Sequence, residues 1–72
     1  MIFENILEPI DLSAEGVIVI PSIVAAKTLL EGATLRVEER QDEESGNICL
    51  VFEGKGLRLA VLNATLLDYN LS

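Results

Sequence analysis

GVIVIPSIVAAKTLLEGATLRV, the stretch from Gly16 to Val37, carries the punctuation that decides the fold. Val17 to Ile20 is a run of four β-branched residues, the class that packs best on a pleated surface and so favours a strand. Pro21 has no amide proton to give to a ladder, so the strand ends there. Ser22 then stands as a helix N-cap, its hydroxyl accepting a hydrogen bond from a first-turn amide. Ile23, Ala26, Leu29 and Leu30 recur at helical spacing, and Val24 widens the apolar stripe. Gly32 supplies the left-handed residue that commonly ends helices, which sets the helix at about Ile23 to Glu31. Too short to be stable alone, that helix must dock on a sheet. Apolar side chains on both faces of Val17–Ile20 predict that both are covered, one by core and the other by a helix or a partner.

Working outward, Thr34 to Arg40 alternates, with Leu35 and Val37 on one face and Arg36 and Glu38 on the other, the pattern of a half-buried strand. Gln41 to Gly46 is polar, acidic and ends in glycine, which reads as a hairpin loop. Ile48 to Phe52 is the return strand. Ile48, Leu50 and Phe52 line one face, and Cys49 and Val51 on the opposite face make it central or interfacial. Gly54-Lys55-Gly56 is a second tight turn, and Leu57 to Leu62 alternates again, with Leu57, Leu59 and Val61 against Arg58, Ala60 and Leu62. Asn63 to Ser72 fits a short helix or a further strand. At the other end, Ile6 and Leu7 suit a short helix, Pro9 biases Glu8 towards extended geometry, and Ile10-Asp11-Leu12 reads as a short strand before a turn at Ser13–Gly16. The expected fold is a small α+β domain, a mostly antiparallel sheet with one short central helix at about 23–31. It forms a single domain over 1–72, with a core at 10–53 and an extra strand plus tail at 54–72.

Size and composition bear on association. A chain of 72 residues buries only about 60% of the surface its unfolded form exposes, and stays marginal without reinforcement. Disulfides, a metal or oligomerisation are the usual reinforcements. Cys49 is the only cysteine and there is no histidine, which removes a disulfide and a zinc site. Half the residues are hydrophobic, only three are aromatic, and mean hydropathy is +0.42. So much aliphatic side chain on so short a chain predicts a closely packed or intertwined homodimer. The longest apolar run, Val17 to Leu30, is interrupted by Pro21, Ser22 and Lys27 and falls short of the roughly 20 residues of a membrane span. The first residues lack Lys or Arg and contain Glu4 and Glu8, unlike a secretory signal. The expectation is a cytoplasmic protein with no membrane partner.

Catalytic chemistry finds little support. Ser13, Ser22, Ser45 and Ser72 have no histidine base, Cys49 sits in an apolar strand where a thiol is inert, and Gly54-Lys55-Gly56 lacks the spacing of a phosphate loop. In the acidic run Glu38, Glu39, Asp42, Glu43 and Glu44, the glycine follows the carboxylates, so no calcium-loop pattern fits. No catalytic residue, cofactor or metal is expected, and the chain is not an enzyme on this reading. The net charge of −7 favours a basic protein partner and disfavours direct nucleic-acid binding, which needs Lys and Arg against phosphates. The candidate partner surface is that acidic run together with Leu62, Leu66, Leu67 and Tyr69 of the apolar tail.

Gly16, Ile20-Pro21, Leu29, Gly32, Leu35 and Val37, followed by an acidic hairpin returning at Gly46-Asn47-Ile48, resemble the AbrB/MazE-type swapped-hairpin family over Ile10 to Phe52. Members read Gly-x-x-x-Ile-Pro, a short helix, Leu-x-x-Gly-x-x-Leu-x-Val and an acidic hairpin, and Ile10-Asp11-Leu12 stands in for the family's first strand. The resemblance implies an interlocked dimer. It carries DNA binding less well, because Val17, Ser22 and Val24 stand where the family often has Arg or Lys, leaving Lys27, Arg36 and Arg40 nearby. The functional expectation is a homodimeric, antitoxin-like or regulatory binding module acting on a protein. The alternatives are an acidic inhibitor that mimics nucleic acid, of the phage type, and a structural subunit of a homo-oligomeric assembly.

Overall fold

A computed structural model of the chain describes residues 7–72. Ile6, and with it the expected short helix at Ile6-Leu7, lies outside them. The elements run β1 (Pro9–Ile10), β2 (Val17–Ile20), α1 (Ile23–Leu29), β3 (Arg36–Asp42), β4 (Ile48–Gly54), β5 (Leu57–Leu62) and α2 (Leu66–Leu71). The fold is α+β, a five-stranded mixed sheet in the order β1-β3-β4-β5-β2 with short helices.

The two predicted hairpins form the antiparallel centre. β3 pairs with β4 from Arg36↔Glu53 to Gln41↔Ile48, and β4 with β5 from Cys49↔Leu62 to Gly54↔Leu57. The outer pairings are parallel, β1 on β3 and β2 on β5. Alternation within a strand reports a half-buried face but not the direction of its neighbour, so this mixed topology was invisible in the chain pattern. All three strands β1, β2 and β3 therefore run the same way, and α1 carries the chain from the β2 edge back across the sheet to β3.

Local chemistry places α1. The Ser22 hydroxyl accepts from the Ala25 amide at 3.1 Å. Leu30 forms the C-cap and Gly32 takes φ +84° two residues on, so the helix stops at Leu29, short of the expected Glu31. Ile23, Ala26 and Leu30 face the sheet, while Val24 and Leu29 point to solvent. Leu29 lies about 240° around the helix from Ile23 and cannot share its face. The β4–β5 connection is a two-residue turn with positive φ at both Lys55 (52°) and Gly56 (74°), the mirror-image geometry whose twist matches antiparallel strands.

Each face of the sheet has its own core. On the α1 side, Ile20, Leu50, Phe52, Leu59 and Val61 pack with Ala26, Leu30 and Ala64. On the other side Ile10, Cys49, Val51 and Ala60 are buried, with Leu12 and Val17 packed against them. That second face is covered by the connection from β1 to β2, which runs from one edge of the sheet to the other. β4 is central, one of the two placements that its two-faced apolar pattern allows. β2 instead occupies an edge, and Ile18 and Val19 stay 45% and 48% exposed. Among the described residues of one protomer, then, nothing covers Val17–Ile20 on both faces. The tail is the short helix α2, started by a reciprocal capping box between Thr65 and Asp68.

Candidate partner-binding surface

The acidic run divides by strand parity. Glu38 faces Val51 and Arg40 faces Cys49, which puts them with Arg36 on the side away from the helices. There Glu38 pairs with Arg36 and, at 3.1 Å, with Arg40, which also reaches Glu8 at 3.4 Å. Residues two apart on a strand share a face, so the alternation Arg36-Glu38-Arg40 builds an ion-pair row along β3. Glu39 points the other way and accepts from the Leu66 amide at 2.8 Å, holding the first turn of α2 against β3. Asp42 closes the hairpin, accepting from the Glu44 amide at 3.1 Å and the Ser45 hydroxyl at 2.6 Å. Those two bonds, the hydroxyl first, hold its carboxyl below the usual range, and Ser13 does the same for Asp11. Glu43 and Glu44 remain exposed at the tip. Of the five carboxylates, three are therefore engaged within the fold and two face solvent.

The tail residues divide as well. Tyr69 packs edge-on against Phe52, ring centroids 5.6 Å apart, and joins the helix-side core. The Lys27 ammonium sits 4.7 Å from the Tyr69 ring centroid and donates to the Ser72 carbonyl at 2.9 Å, tying α2 to α1. A cation over an aromatic face and at a helix C-terminus is favourable on both counts. Leu66 and Leu67 are exposed, at 39% and 66%, and Leu71 reaches 78%. Leu62 pairs with Cys49, on the opposite face of the sheet from Leu59 and Val61. The structure thus brings together Glu39, Leu66 and Leu67 and sets Leu62 apart. Leu71 belongs with this patch but was not read from the sequence, because the tail could not be assigned. The Thr65-x-x-Asp68 spacing was the signal that would have found the helix.

Four of the five cations are occupied. Arg36, Arg40 and Arg58 are in ion pairs and Lys27 is on Tyr69. Glu15, Glu31, Glu43 and Glu44 are exposed carboxylates with no cationic partner among the described residues. Beside the hairpin, Asp11, Leu12, Ser13, Asp42, Glu43 and Glu44 line an open cleft of about 290 Å³. Among the described residues no group of three or more His, Cys, Asp or Glu is arranged to hold a metal ion. Nor is any of their helices long and apolar enough to cross a membrane.

No protein-family model matches the chain, and no curated protein or solved structure is significantly similar to it.

Proposed function

We propose that the protein is a non-enzymatic, homodimeric binding module of the cytoplasm that acts on a basic protein partner, in the manner of an antitoxin or a regulatory subunit. The observation that carries this reading is the unequal use of charge. Four of the five cations are spent inside the fold, so the surplus of carboxylates at the hairpin tip and elsewhere is left to act outward. A surface of that sign attracts a basic partner and accelerates its encounter. The exposed Leu66, Leu67 and Leu71, beside the Glu39 clamp, supply the apolar component that charge alone lacks.

The same accounting weighs against direct nucleic-acid binding, since Lys27, Arg36 and Arg40 are already engaged. The order strand, Pro21, helix, Gly32, strand and acidic hairpin supports the swapped-hairpin resemblance, and the dimer is part of that proposal. Co-purification in low salt tests the function. A stoichiometric basic protein retained by the native chain, and lost with Glu43→Lys/Glu44→Lys or in high salt, is the expected result. Retention of that partner by the double variant at undiminished yield overturns the charge reading.

A further inference from the structure

We infer that the exposed edge of β2 is a self-association surface, where a second copy of this chain adds its own β2 in antiparallel register. The inference rests on the homodimer proposed above and places its interface at a sheet edge, in place of the interlocked hairpins that the family resemblance implies. Among the described residues β2 has a neighbour on one side only, β5. The Val17 amide donates to the Ala14 carbonyl at 3.2 Å, and among the described residues no backbone or side-chain hydrogen bond beyond the β5 ladder reaches Ile18, Val19 or Ile20. Natural edges are usually blunted by a charge, a bulge or an interior proline. This one presents Val17-Ile18-Val19-Ile20 with Pro21 only at its end, and Ile18 and Val19 half exposed on opposite faces.

Charge selects the occupant. Two copies at −7 repel, which favours a contact between them that is free of carboxylates. In a chain where 24% of residues are charged, Gly16 to Ala26 carries none and is the longest such run. The edge strand and the first turn of α1 lie wholly within it. A basic heterologous partner would gain nothing electrostatic from this surface, whereas a second copy brings no charge of its own to it.

Symmetry and Pro21 fix the register. A two-fold axis perpendicular to the joined sheets keeps each side chain on its own face, so it must lie between the two copies of one residue, and the centre of the strand offers Ile18 or Val19. Centring on Val19 would set Pro21 opposite Val17 inside the ladder, where it cannot donate. Centring on Ile18 pairs Val17 with Val19 of the second copy and leaves Pro21 outside. The other sheet edge, β1, is two residues long and begins with Pro9, so the assembly closes at two copies and does not grow into a filament.

Sedimentation of the full chain at micromolar concentration, with two variants, tests this. The native chain is expected at twice 7.8 kDa, and Val19→Lys at the single mass with an unchanged circular dichroism spectrum. Ile18→Cys under mild oxidation is expected to form a disulfide-linked dimer at least tenfold faster than Val24→Cys, a control on the exposed face of α1. The Cα separation of directly opposed antiparallel residues is within disulfide reach. A native chain of single mass overturns both this inference and the dimer in the function. A native dimer that persists in Val19→Lys, such as an interlocked one, overturns the edge alone. If Val19→Lys fails to fold, the cross-linking rates decide, and equal rates for the two cysteines overturn the inference.

Discussion

β4 and β2 both contain four consecutive apolar residues, yet they end up in opposite environments. Cys49 to Phe52 are each no more than 1% exposed, while Ile18 and Val19 are close to half exposed. By side-chain type, Val17–Ile20 is the greasier of the two. The difference is one of position: β4 has hydrogen-bonded neighbours on both sides and a core on each face, and β2 has one neighbour. Burial in a sheet is decided by what flanks a strand, and composition only sets how much is gained if it is flanked.

The largest effect that could break this contrast is at Phe52, fully buried in β4 and in edge-on contact with Tyr69. Phe52→Ala is expected to cost about 3–5 kcal/mol. In a domain of this size that is most of the stability, and urea unfolding should find the variant largely unfolded without denaturant. A smaller, paired test sharpens the comparison. Val51→Thr buries a hydroxyl in the second core and should cost about 1–3 kcal/mol. The isosteric Val19→Thr at the edge should stay within about 0.5 kcal/mol, by the same assay at a concentration where the chain is monomeric. Equal costs there would mean that the edge is buried within the single chain.

The turn that joins β4 to β5 offers a gain. Lys55 holds a positive φ that a side chain with a Cβ resists, and asparagine tolerates it better. Lys55→Asn should raise stability by about 0.5–1 kcal/mol, visible as a higher thermal midpoint. The smallest effect is titration of the two turns at the β1 and β3 ends. Asp11 and Asp42 have carboxyls held below their ordinary values by Ser13 and Ser45. Folding therefore favours their ionised forms, a contribution fully present above about pH 4, the unfolded value, and lost as pH falls through the lower folded one. Amide exchange at Ser13 and Glu44 should accelerate below about pH 4, while that of β4 does not.

Much of the interior could be read from the chain because its signals are local. Pro21, Ser22 and Gly32 each act within a turn of their own position, and the two hairpins declare themselves by Gly46 and by Gly54-Lys55-Gly56. Apolar residues at both parities of β4 narrowed its placement to the centre of the sheet or an interface. What could not be read are relations between distant segments: that β1 and β2 lie parallel at opposite edges, that Glu39 reaches the Leu66 amide, and that Lys27 caps the tail. The candidate surface suffered most from this. A carboxylate-rich run looks uniform in sequence, and only the pleat separates Glu38, facing two arginines, from Glu39, facing a helix end. Glu43 and Glu44, at the hairpin tip, are the part of that run whose solvated character the sequence conveyed.

The passage from Ile10 to Val17 gives the molecule a strap. It leaves one margin of the sheet, crosses the face that no helix guards, and begins the strand at the far margin, with Leu12 and Val17 pressed on the core beneath. A single eight-residue crossing thus anchors both margins to one shared layer of side chains, Ile10 where it departs and Val17 where it arrives.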